Sequence, residues 1–222
     1  HGVIAQTSDA GWMRLSNLIN DGTLRAVAGT ELWMSGGTLL AGTVLDGAGT
    51  FRFRDGTTTL GAGSSLSGKD LWIESGTVNG AGAITVRSGD SMRLTGGNFD
   101  GAGGLSILSG GTFTNNGGAT WGGRPVTNAG TFEATGRINV SDNSALVFNN
   151  QAGGVVNLTG SGQFIAAAGN GQSGVLTNAV GGTITKSGSV AAYDLGYGNV
   201  SIVNHGVIAQ TSDAGWMRLS NL

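Results

Sequence analysis

Apolar and polar residues alternate along most of this chain in runs of four to six, and each run closes on a glycine-bearing turn. Glu31-Leu32-Trp33-Met34, Thr50-Phe51-Arg52-Phe53-Arg54, Asp70-Leu71-Trp72-Ile73, Ala83-Ile84-Thr85-Val86 and Leu105-Ser106-Ile107-Leu108 are examples. That alternation is the period of a strand with one face buried. The longest glycine-free stretch, Arg137 to Ala152, alternates at Ile138 and Val140 and then meets a turn signal at Asp142-Asn143. The pattern predicts an all-β chain with no helix longer than a turn.

The runs come with recurring phrases. Leu32-Trp33-Met34-Ser35-Gly36-Gly37-Thr38 matches Leu71-Trp72-Ile73-Glu74-Ser75-Gly76-Thr77, and Asp46-Gly47-Ala48-Gly49 matches Asn79-Gly80-Ala81-Gly82 and Asp100-Gly101-Ala102-Gly103. The Gly-Thr turns at Gly37, Gly56 and Gly76 are 19 and 20 residues apart. Three short strands and three turns take about 20 residues, which is one coil of a single-stranded parallel β-helix rising ~4.8 Å per coil. Elsewhere an Asn precedes the turn glycine, as at Asn20, Asn128 and Asn204. Glycine accepts positive φ at a corner, and an asparagine amide can bond to the same amide one coil away. These six residues are therefore expected to be coil-turn positions, with Asn204 and the Asn20 position of a following unit one coil apart.

A longer period lies above the coil. His1 to Leu18 recurs letter for letter from His205 to Leu222, an offset of 204 residues. The chain reads as one tandem unit (1–204) followed by the start of an identical one (205–222). The alternation runs through the boundary from Asn199 to Ile208 with no flexible spacer, so the coil is expected to be continuous across units, about ten coils per unit.

The Asn-x-Gly-Thr and Gly-Ala-Gly phrases resemble those of filamentous-haemagglutinin-type exoproteins and autotransporter passenger domains. The resemblance covers the whole chain in repeat style. It implies a right-handed parallel β-helix in a secreted, extracellular bacterial surface fibre or adhesin.

Composition narrows the chemistry. Glycine, at 44 of 222 residues without a three-residue period, excludes collagen, and 39% apolar residues suffice for a core. A net charge of −2 with sparse ionisable residues offers no nucleic-acid surface. No apolar run is long enough to span a membrane, and the absence of cysteine excludes disulfides and thiolate metal sites. Each unit has a single histidine, with no nucleophile elbow and no calcium-binding nonapeptide, so neither a catalytic residue nor a metal or cofactor is expected. Asp46 and Asp100, both in Gly-Ala-Gly phrases, could share an edge as a carboxylate pair, although solvated turn carboxylates are the simpler reading.

The remaining candidates are surface contacts. If Leu32 and Leu71 point inward, Trp33 and Trp72 point outward two coils apart; if Phe51 and Phe53 are core, Arg52 and Arg54 lie outside. The expected role is a stiff structural rod whose partners are its own next unit and neighbouring fibres. The alternative is an adhesin module gripping surface glycans through exposed tryptophans and long turns.

Overall fold

A computed structural model gives the structure of the chain and describes residues 1–8, 11–160, 162–187, 192–211 and 215–220. Among these there is no helix; short strands coil into a β-solenoid of about ten turns, roughly 21 residues each. Strands pair in parallel with their counterparts one coil on, as Phe51 does with Leu71, Leu71 with Met92, and Met92 with Phe113.

Three walls enclose the core. The first consists of a three-stranded sheet (Val3–Gln6, Thr23–Ala26, Val44–Asp46) and a seven-stranded sheet running from Ser65–Leu66 to Val200–Asn204. The second and third walls share one 17-stranded sheet. In the early coils one strand bends across both walls: Gly11–Asn20, Thr30–Leu39 and Thr50–Leu60. Later coils split it in two, as Asp70–Ile73 then Thr77–Gly80, ending with Val207–Gln210 then Trp216–Arg218.

Alternation fills the interior with stacks one residue deep per coil. On the second wall Leu32, Phe51, Leu71, Met92, Phe113, Phe132, Val156 and Ile184 stand in one buried column. Between the walls the aromatics make a continuous packed series. Phe99 meets Trp121 edge-on at 4.9 Å, Phe113 stacks on Phe132 at 5.0 Å, and Phe132, Phe148 and Phe164 contact one another at 5.1 to 5.7 Å. Such pairs contribute about 0.5–1.5 kcal/mol each beyond their burial.

At the first corner one inner column changes character along the axis. It reads Val86, Ile107, Asn128, Asn150, Asn178, Asn204. The four asparagines form a ladder in which each Nδ2 donates to the Oδ1 of the next at 2.8 Å. Asn128, Asn150 and Asn178 also donate across the corner, to the carbonyls of Val155, Thr183 and Val207. Asn20 is not in this column. It ends the third wall, donating to the Gly22 carbonyl at 2.8 Å and to Thr43 at 3.2 Å. A coil has three corners and an Asn-x-Gly turn suits more than one, so equal spacing did not mean an equal corner.

The corner glycines show a similar slip. Gly37, Gly56 and Gly76 lie between the second and third walls, but a bulge after Met34 pairs Gly37 with Thr58. Gly56 therefore abuts Gly36: a Cβ on Gly56 would sit 3.4 Å from the Gly36 Cα. Gly37 itself has φ +125°, and a Cβ there would lie 2.2 Å from the Leu18 carbonyl oxygen, so this place requires glycine.

Candidate functional site

The outer face of the second wall carries a dense group of aromatic and charged side chains. Strand register puts Arg14, Trp33, Arg52, Trp72 and Arg93 in one strip, one residue per coil, alternating cation and indole. Leu32 and Leu71 are buried, so the pleat turns both tryptophans outward; Phe51 and Phe53 do the same for Arg52 and Arg54.

The geometry is a closed stack. The Arg52 guanidinium lies 4.1 Å from the Trp72 ring centroid and Arg93 lies 4.8 Å from it, from the coils on either side. Trp33 stacks on Trp12 at 4.3 Å and 6° from the preceding coil, and takes Arg54 at 4.3 Å from the following one. Both faces of Trp33 and of Trp72 are therefore occupied from within the chain. Cation–π contacts of this kind contribute about 0.5–1 kcal/mol each at exposed sites.

Carboxylates complete the strip. Arg52 bridges Glu31 at 2.7 Å and also Glu74, Arg54 reaches Glu74 at 2.9 Å, and the Trp33 indole N–H donates to Glu31 at 2.6 Å. Arg14 donates to Ser35 at 2.9 Å and meets Asp55 at 3.3 Å. Burial by itself raises the Glu31 carboxyl, but hydrogen bonds from Arg52 and Trp33 and the nearby charges outweigh it, and the net displacement is downward. Burial likewise works against the Arg52 cation, and its bonds to Glu31 and Glu74 reverse the sign.

Other tryptophans, carboxylates and the histidine fall elsewhere. Trp121 is wholly buried. Its neighbours Thr120 and Gly122 leave no aliphatic residue to face inward, a signal that the alternation argument could have used. Asp46 and Asp100 do not share an edge. Asp46 ends a first-wall strand, 3.4 Å from Arg25, whereas Asp100 ends a third-wall strand, because Gly-Ala-Gly turns serve two different corners. His1 is exposed, with its Nδ1 3.0 Å from the Asp21 carbonyl oxygen. Among the described residues no group of three or more His, Asp or Glu is placed to hold a metal ion.

Sequence reasoning missed Arg124. Its side chain is fully buried at the corner after the third wall, where the guanidinium donates to the carbonyls of Asp100 (2.8 Å), Gly103 (2.6 Å) and Gly82 (3.0 Å) and lies over Phe99. Burial lowers its pKa to about 10, partly offset by the Asp100 charge; burial also raises the Asp100 carboxyl. A groove on the outer third wall is lined by Thr120, Arg137, Asn139, Gln172 and the half-exposed Tyr197.

No family model matches the chain, and no curated protein does. Among solved structures it is similar to a crystal structure of a TibC-catalysed, hyper-glycosylated TibA55-350 fragment. The match covers 97% of each chain at 15% identity and a TM-score of 0.19. A likeness that weak carries no argument about function.

Proposed function

We propose that the chain is a segment of a secreted bacterial surface fibre or stalk, working as a stiff β-helical rod without catalytic activity. The observation that supports this best is that both faces of Trp33 and of Trp72 are used up by the rod itself. A sugar stacks on a free indole face, and Trp33 and Trp72 have none. The strip instead ties each coil to those on either side, as ladders of asparagine and phenylalanine do inside. Axial stiffness follows, since bending must break several ladders at once. The test is electron microscopy of a chain containing several units. The rod reading expects unbroken thin filaments; separated globules on flexible tethers would overturn it.

The groove at Tyr197 favours a second reading, in which the rod also binds a surface glycan. An exposed aromatic flanked by Arg137, Asn139 and Gln172 has the amphipathic lining such ligands use. That reading expects glycan-array binding lost in Tyr197→Ala and kept in Trp72→Ala.

A further inference from the structure

The two copies of the 18-residue segment do not occupy equivalent walls. In the first copy Val3–Gln6 lies on the first wall, paired with Thr23–Ala26, and Gly11–Leu15 lies on the second, paired with Thr30–Met34. In the second copy Val207–Gln210 lies on the second wall, paired with Thr183–Lys186, and Trp216–Arg218 lies on the third, paired with Ala192–Asp194. Val3 opens the first of the ten first-wall strands and Val200 the last, so Val207 stands nine coils and one wall beyond Val3.

The second copy is also seated on a built surface. Arg218 reaches the buried carboxylate of Asp194 at 2.6 Å. Ile208 and Met217 pack onto the core, over Ile184 and Tyr193. The asparagine ladder runs up to Asn204, the residue just before the copy, and Asn178 donates to the Val207 carbonyl within it at 3.1 Å. Asp194 thus meets the second-copy counterpart of Arg14. In the first copy, that arginine turns to Ser35 and Asp55 of later coils.

We infer that the last coil of each unit is a docking surface for the leading segment of the next, and that each unit in the array is turned by one wall, a third of a revolution. Identical sequence repeats its own internal pairing. Keeping the units in the same rotational phase would require the second copy to abandon the four register pairs of Val3–Gln6 with Thr23–Ala26 and the nine of Gly11–Asn20 with Thr30–Leu39. Each unit then advances ~45 Å, and three units close a super-repeat of 28 coils, ~134 Å. The Arg–Trp strip moves to the next wall in every unit, so the rod presents it on three sides rather than one.

This inference rests on the rod reading, and one experiment separates their failures. Cryo-electron microscopy of a chain of three consecutive units would measure the transformation between units. The expected result is a rise of ~45 Å with a rotation near 120°. A continuous rod whose units superimpose by translation alone would overturn the inference and leave the rod intact. Globules with variable spacing would overturn both.

Discussion

The guanidinium of Arg124 donates to the carbonyl of Gly82, 42 residues earlier and two coils below, while also holding the carbonyls of Asp100 and Gly103. One side chain thereby seals a corner at which three coils meet. Removing it strands buried acceptors and the Asp100 carboxyl, which already has one oxygen without a hydrogen bond. Arg124→Met is expected to cost about 3 kcal/mol or more. Arg124→Lys should recover little, because the bonds come from three separate guanidinium nitrogens and an ammonium gathers its donors on one. Urea denaturation of both variants checks this; a loss under about 1 kcal/mol in Arg124→Met would refute the sealing role.

Adjacent glycines at the same corner should behave in opposite ways. A Cβ on Gly103 would sit 1.9 Å from the Gly82 carbonyl oxygen, whereas one on Gly104 meets nothing closer than 3.8 Å. Gly103→Ala must push a neighbouring coil away and is expected to lose about 4 kcal/mol, while Gly104→Ala should stay within about 1 kcal/mol of the parent. Thermal melts of the pair give the comparison directly.

These corners mark where the sequence was readable and where it was not. The strands and the coil were legible because alternation and spacing are local: Leu32 inward and Trp33 outward follow from the pleat alone. Wall assignment was not legible, because it depends on how many residues each turn consumes. The bulge after Met34 displaces Gly37 by two positions relative to Gly56, and Asn20 ends a different wall from Asn128 and Asn204. Arg124 was invisible for another reason. A lone arginine beside a turn looks solvated, and only the stacked carbonyls of earlier coils make a buried place for it.

The strip should reveal itself in acid. The folded-state pKa of Glu31 is lowered, so the unfolded chain binds the proton more readily, and this contribution to stability is present above the ordinary carboxylate range and lost as pH falls through the folded value. Glu31→Gln is therefore expected to be less stable than the parent near pH 7 and to converge with it as pH falls below the carboxylate range. A stability gap between the two that stays constant across that range would refute the assignment.

Because Arg52 and Arg93 sandwich Trp72, truncation there should read as a loss of rod stability and not as a loss of ligand. Trp72→Ala exposes two cations and leaves Glu74 with less crowded partners, at a cost of about 1–2 kcal/mol from two cation–π contacts and lost cover. Trp12 has one face against Trp33 and is otherwise exposed, so Trp12→Ala should cost less. Equal losses in the two variants would remove the argument that the strip is a closed stack.

The inner column at the first corner offers the sharpest test of the ladder. Asn128 is its lowest rung, and the Asn128 Oδ1 is buried without a hydrogen bond above Ile107. Each rung donates upward, so an amide at position 107 would present its Nδ2 to that orphaned oxygen. Ile107→Asn gives up an aliphatic side chain worth about 2 kcal/mol of burial and passes the orphaned acceptor down to its own Oδ1 above Val86, but it gains an amide–amide hydrogen bond worth about 1 kcal/mol. Leu105→Asn, two residues earlier on the same inner face, stacks on Val126 and Ile84 and gains no such partner. It should lose about 3 kcal/mol or more. The expected order is that Ile107→Asn folds with the milder loss, and hydrogen exchange at the Asn128 and Asn150 corner slows rather than quickens. If the two substitutions are equally damaging, the ladder is packing by shape alone, and its amide bonds contribute nothing that apolar side chains would not.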